Sequence, residues 1–172
     1  MEGTPDNIAN EQELDERLTR PRAVLVDFMR TVANPLVILG AGGKMGPTLA
    51  VLARRAADVS GHVLRIIAVS RFSDERTRHW LESHGIETHS ADLLDRQAVT
   101  QLPESTNVIY LVGLKFGTTQ KPEQTWAVNT LIPAYVAERY SAARIVALST
   151  GNVYPLTAVQ RGGSVETDPL TR

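Results

Sequence analysis

The chain has no cysteine, which excludes disulfides, thiolate metal sites and a cysteine nucleophile at once. Aromatic residues make up only 5% of the 172 positions against 42% hydrophobic residues, so the core has to be built from aliphatic side chains. No charge of one sign dominates. A formal net charge of −1 leaves no basic footprint, and no nucleic-acid partner is expected. No apolar run reaches the ~18 residues of a transmembrane helix, so no membrane partner is expected either. The leader Met1-Glu2-Gly3-Thr4-Pro5-Asp6 lacks the basic and apolar regions of a signal peptide. The default expectation is a cytoplasmic protein with one domain large enough to bury a core.

What the chain does have is a strand-like run, Pro35-Leu36-Val37-Ile38-Leu39, that feeds into Gly40-Ala41-Gly42-Gly43-Lys44-Met45-Gly46 and then a helical pattern. A dinucleotide-binding turn requires this order: a buried parallel strand, glycines that let the backbone approach a pyrophosphate, and a helix N-terminus with free N–H groups. Two registers are open. The spacing G-x-G-x-x-G uses Gly40 and Gly42 but puts Met45 at the third glycine, whereas G-x-x-G-x-x-G is met in full by Gly40, Gly43 and Gly46.

Strand and helix patterns alternate from Leu36 onward. A helix is expected over Lys44–Ala57, with Pro47 tolerable in its first turn. Strands are expected over His62–Val69, Ile86–His89, Asn107–Gly113 and Arg144–Ser149. Helices are expected over Ser73–Ser83 with Gly85 as its C-cap, over Asp95–Gln101, and over Glu123–Tyr140 with a kink at Pro133. Five strands alternating with helices predict an α/β fold, a doubly wound parallel sheet. Residues 1–34 form an N-terminal helical extension with two short helices, Glu11–Arg20 and Arg22–Val32, and 35–172 form the α/β domain. His79, His84 and His89 stand five apart, which is not the spacing of a helical metal pair, so no metal site is expected.

The register Gly40, Gly43, Gly46 resembles the short-chain dehydrogenase/reductase superfamily, although Gly-Ala-Gly-Gly-Lys-Met-Gly also resembles the loop of dihydrodipicolinate reductases and, more loosely, of prephenate dehydrogenases. Three later segments favour the first family in its extended form. Val108-Ile109-Tyr110-Leu111-Val112-Gly113-Leu114-Lys115 resembles its fourth-strand segment, Val128-Asn129-Thr130 its Asn-containing helix motif, and Val146 to Pro155, with Ser149-Thr150 before Val153-Tyr154, its fifth-strand motif. With Asp92-Leu93 after the third strand, four motifs follow the turn in family order. The dihydrodipicolinate reductase loop has no counterpart to the Ser-Thr-x-x-Val-Tyr element. The chain is therefore similar, over roughly residues 35–170, to the NAD-dependent epimerase/dehydratase family.

That resemblance implies a Rossmann-type NAD(P)-binding domain. It puts Gly40, Gly43 and Gly46 at the pyrophosphate, with Lys44 as a direct phosphate charge or a solvated lysine, and Met45 within the same turn. It gives Asp92 to the adenine amino group, or else to capping the next helix, and Leu93 to a backbone contact. Val112 and Gly113 bring the backbone close to the cofactor, Lys115 reaches ribose or phosphate, and Asn129 braces the end of the fourth strand. Thr150 aligns with the catalytic Ser/Thr. At the end of the second strand stand Ser70 and Arg71, where an NAD enzyme usually carries Asp or Glu; arginine can receive a 2′-phosphate, which leans the expectation to NADP unless Arg71 is a solvated loop residue.

One departure limits the reading. The family's Tyr-x-x-x-Lys, in which lysine and cofactor lower the phenol pKa for proton transfer, would fall just past Arg172. The expectation is an NAD(P)-binding portion without its sixth strand or C-terminal substrate lobe, from a nucleotide-sugar epimerase or dehydratase that works by transient hydride transfer. The alternatives are a non-catalytic NAD(P)-binding sensor or regulatory module and, as a minor one, a simple carbonyl reductase. The substrate partner would be a nucleotide sugar, and a homodimer is compatible with this reading.

Overall fold

In the computed structural model, which describes residues 7–114, 120–150 and 153–171, the predicted parallel sheet is present. Its strands are β1 (Leu36–Leu39), β2 (Ile66–Ser70), β3 (Glu87–Ser90), β4 (Asn107–Tyr110) and β5 (Arg144–Ala147), in the order β3-β2-β1-β4-β5. All four pairings are parallel. The helices are α1 (Glu11–Leu18), α2 (Ala23–Met29), α3 (Gly46–Ser60), α4 (Glu75–Ser83), α5 (Arg96–Thr100), α6 (Pro122–Trp126) and α7 (Ile132–Arg139). This is a Rossmann-type order, with a change of winding direction between β1 and β4.

The central strand explains the two-sided core. Every residue of β1 is buried, because helices cover both faces of the sheet. Leu36 and Ile38 point into a cluster with Ala50, Val51, Ala53, Ala56 and Ala57 of α3. Val37 and Leu39 point to the opposite face, into a cluster with Val99 of α5 and Ile132 and Val136 of α7. The inner face of α3 is nearly all alanine, which brings that helix close to the sheet. Met29 and Val32 join the same cluster as Leu36 and Ile38, and Arg55 of α3 pairs with Glu16 of α1 at 2.6 Å. The helices before β1 are thus packed onto α3.

Helix ends shift by up to three residues, and four further departures from the sequence expectation each have a physical reason. Strand β2 starts at Ile66 and not at His62. Gly61 ends α3 in the left-handed region at φ 70, His62 N–H returns to Ala57 O, and Arg65 N–H is taken by the Asn34 side chain at 2.9 Å. Strand β4 stops at Tyr110 and not Gly113, since β1 turns away at Gly40 and β5 ends at Ala147. For the same reason β5 is shorter than Arg144–Ser149. The helix expected over Glu123–Tyr140 is split by a π segment, Ala127–Leu131. Pro133 offers no N–H to the carbonyl four residues back, and a π bulge is one way a helix absorbs that loss.

Two buried tyrosines give opposite expectations. The Tyr140 hydroxyl donates to Pro103 O at 2.8 Å, whereas the buried Tyr110 hydroxyl has no partner among the described residues. Tyr140→Phe is expected to cost about 1 kcal/mol of stability, and Tyr110→Phe to cost nothing or to stabilise. Burial pushes both phenols up to about 12. Both groups ionise near pH 10 when unfolded, so their contribution is fully present below that pH and is lost as pH rises through about 12. Urea unfolding of the wild type, each single variant and the double Phe variant from pH 8 to 11.5 checks both points; the double variant should lose less stability across the alkaline range.

Candidate active site

The site begins where β1 ends. Gly40 N–H and Ala41 N–H both donate to Val69 O, at 2.9 and 3.1 Å, so the turn hooks over the end of β2. Gly40 has φ 82, a left-handed conformation natural to glycine, and a Cβ there would lie 3.0 Å from Val112 Cγ2 and 3.1 Å from Leu111 C. A Cβ on Gly42 would meet Ser70 Oγ at 2.6 Å. On Gly46 it would fall 2.5 Å from Ala41 Cα and 2.6 Å from Ala41 C. Backbone packing and the positive φ therefore require glycine at positions 46 and 40, whereas at 42 a Cβ would require the Ser70 hydroxyl to turn away. Gly43 is different: its Cβ would meet only Gly40 O, at 3.2 Å. That approach is tight for a Cβ, yet no side chain lies within 4 Å of the position and Gly43 is exposed.

Helix α3 starts directly behind this position. Three other helices have side-chain caps: Asn10 on α1, Asp74 on α4 and Asp95 on α5. Met45, at the head of α3, makes none, and Pro47 sits in the first turn. The first-turn N–H groups, such as those of Gly46 and Thr48, together with the positive end of the helix dipole, face the turn. Lys44 and Met45 are exposed beside them.

On the far side of the turn lies the end of β2. Ser70 is half-buried against Gly42, and Arg71 is exposed. The nearest following acid, Asp74, is committed to α4: it accepts from Arg76 N–H at 3.1 Å and from the Thr77 hydroxyl at 3.1 Å. These bonds, the backbone one first, hold its carboxyl below the usual range.

The crevice between β1 and β4 completes the arrangement. Val112 is half-buried next to Gly40, and Gly113 is exposed. A Cβ on Gly113 would touch only Asn129 Oδ1, at 3.8 Å. Asn129 itself bonds twice to one residue: its Oδ1 accepts from Leu114 N–H and its Nδ2 donates to Leu114 O, both at 2.9 Å. It braces the segment after β4 from the π segment. Asp92 is exposed after β3, with one oxygen accepting from Leu94 N–H at 3.0 Å, while the capping of α5 falls to Asp95. Leu93 is buried. Thr150 is exposed just beyond β5. Lys115, with Gly151 and Asn152 of the fifth-strand motif, lies outside the described residues. Among the described residues no group of three or more His, Asp or Glu could hold a metal ion.

Two features carry no local sequence signal. The preference for glycine at 42 comes from Ser70, a partner distant in the chain. The other is Phe72, buried and at φ 47, a backbone region that bulky residues rarely adopt.

These parts define a dinucleotide-binding α/β domain, with its crevice at the switch point of the sheet. The model of the NAD dependent epimerase/dehydratase family matches residues 36–172, and the chain belongs to that family. No curated protein sequence matches the chain. Among solved structures it is similar to ADP-L-glycero-D-manno-heptose-6-epimerase from Helicobacter pylori, with a TM-score of 0.62 and 16% identity over 82% of this chain and 46% of that one. It is also similar to RhlG of Pseudomonas aeruginosa, solved as an NADP active-site complex, with a TM-score of 0.58 and 10% identity over 76% and 59% of the two chains. For Pen from Bacillus thuringiensis the values are 0.57 and 13% over 70% and 38%. At these identities the likeness is one of fold. The chain spans between 38% and 59% of the length of these three relatives.

NAD(P) is the cofactor of the family, and the residues fit it: an exposed Gly43 with no side chain over it and an uncapped helix suit a pyrophosphate. The glycines separate fold from ligand. Gly46→Ala forces two backbone segments apart and is expected to cost at least the 1–3 kcal/mol typical of overpacking. Gly43→Asp is expected to keep the helical content and melting behaviour but to lose dinucleotide binding, because the carboxylate would occupy the phosphate position. Thermal melts by circular dichroism and calorimetric titration check the pair; equal dinucleotide affinity in Gly43→Asp and wild type would remove the phosphate assignment.

Proposed function

We propose that this chain is the NAD(P)-binding portion of an oxidoreductase of the epimerase/dehydratase kind acting on a nucleotide sugar by transient hydride transfer. The observation that carries it is the exposed Gly43, with no side chain within 4 Å of the place its Cβ would take, in front of the uncapped N-terminus of α3. Gly40 and Gly46 hold that turn in shape, the first-turn N–H groups of α3 and Lys44 receive the pyrophosphate, and Gly113 admits the dinucleotide close to the backbone after β4. Asp92 and Leu93 hold the adenine end. Asn129 keeps the segment after β4 in place through Leu114. When bound, the nicotinamide supplies a hydride acceptor and donor. Thr150 would hydrogen-bond the reacting oxygen of the sugar.

NADP is favoured over NAD. The first acid after β2, Asp74, is bonded within α4, and the exposed Arg71 directly follows the strand. Arg71→Ala is expected to weaken NADP binding by about tenfold or more, the worth of a charge-assisted hydrogen bond at roughly 1.5–3 kcal/mol, with little effect on NAD. Equal effects on both cofactors, measured by calorimetry, would leave Arg71 a solvent residue.

A second reading, a non-catalytic dinucleotide sensor, is favoured by one observation. None of the tyrosines at 110, 135, 140 and 154 is followed four residues later by lysine. Positioned acid–base groups are worth about a hundredfold to ten-thousandfold in rate, so these 172 residues are expected to bind a dinucleotide without turning over nucleotide sugars. Stopped assays with nucleotide-sugar substrates test this; robust epimerase, dehydratase or reductase activity would overturn the assignment of Thr150 as one member of an incomplete set.

A further inference from the structure

Phe72 is the only non-glycine residue at positive φ among the described residues, at φ 47. That conformation strains any side chain with a Cβ, and such strain persists only where the surroundings enforce it. Here they do. The Phe72 side chain is 6% exposed and joins the cluster that includes Ala41, Ala50 and Ile38. Its Cδ1 lies 3.6 Å from the place a Cβ would take on Gly42. The two preceding residues are also held: Ser70 O accepts from Ala91 N–H at 3.0 Å, and Arg71 O faces the Ser90 hydroxyl at 3.4 Å. The left-handed turn folds the ring back beneath the glycine turn while Arg71, one residue earlier, stays exposed at the rim. An arginine in an unanchored loop would lose much of its binding advantage to conformational freedom.

We propose that Phe72 is a positioning residue for cofactor choice: by locking the chain after β2 under Gly42, it holds Arg71 where the 2′-phosphate of NADP would be read. The proposal rests on the NADP reading given above. It predicts a change in the ratio of NADP to NAD affinity, which loss of core packing alone does not produce, because both dinucleotides share the turn and α3.

The test is calorimetric titration of the 172-residue chain with NADP and with NAD, in wild type and variants. Wild type should prefer NADP at least tenfold, and Arg71→Ala should abolish the preference. Phe72→Gly accepts positive φ without strain but removes the anchor; it should lower the NADP-to-NAD ratio fivefold or more while changing NAD affinity less than twofold. Phe72→Leu keeps apolar volume in the core but not the reach of the ring to Gly42, and should lower the ratio about threefold, which keeps the test alive if Phe72→Gly does not fold. Adding Arg71→Ala to either variant should bring the ratio only to the value of Arg71→Ala alone, because the two residues act on one contact. A wild-type ratio in folded Phe72→Leu or Phe72→Gly, with Arg71→Ala still abolishing the preference, overturns the positioning role alone. A wild type without NADP preference, or a preference unaffected by Arg71→Ala, overturns the NADP reading and this inference with it.

Discussion

The close approach of α3 to the turn after β1 is the constraint on which the rest of the structure depends. Gly46 sits so near Ala41 that a single Cβ would overlap its backbone. The same closeness continues along the helix as Ala50, Ala53, Ala56 and Ala57, all buried. Because α3 carries almost no side-chain bulk towards the sheet, its axis is set by backbone contact. Its N-terminus is thereby aimed into the turn and not past it. The helices before β1 inherit their position from this arrangement, α2 by packing Met29 on the same cluster and α1 through Arg55 and Glu16.

A division of labour follows among the glycines. At positions 40 and 46 backbone crowds the space a side chain would take, and at 42 the Ser70 side chain does; at 43 only the Gly40 carbonyl approaches, and 113 is open. Glycine costs conformational entropy on folding, so glycines that packing does not require point to something that approaches from outside. Both border the crevice between the ends of β1 and β4. The brace across that crevice depends on the π segment. Pro133 cannot bond back to the carbonyl of Asn129, and the helix loosens at the residue whose side chain holds Leu114. Such bulges recur at functional sites.

The parallel sheet, the order of its elements and the turn were legible in the sequence because they rest on local signals: β1 is uniformly apolar, Gly61 and Gly85 stop helices, and Asp95 starts one. The brace by Asn129 was readable only through family resemblance. What the sequence hid depends on residues far apart in the chain. The start of β2 is delayed by Asn34, which takes a backbone donor. Glycine 42 answers to Ser70, and glycine 46 to Ala41 across a turn, so the two possible registers read from spacing could not say which glycines packing demands and which a ligand would. The commitment of Asp74 to α4 was equally hidden, and it bears directly on cofactor choice.

The two edges of the sheet differ in polarity. Strand β3 is polar, Glu87-Thr88-His89-Ser90, and Arg65 closes onto Glu87 through two bonds of 2.8 Å. An edge of that kind tolerates water. Strand β5 runs Arg144-Ile145-Val146-Ala147; Val146 is 62% exposed and the following Leu148 44%. The glycine turn, α3 and the Ser70–Arg71 corner belong to the part of the sheet that packing completes on its own. Thr150 belongs to the apolar edge, where packing is least complete. The dinucleotide crevice is therefore framed by elements already held by their own core, whereas Thr150 follows an edge strand with exposed apolar residues. The elements that frame the glycine turn are thus physically separable from the β5 edge that carries Thr150.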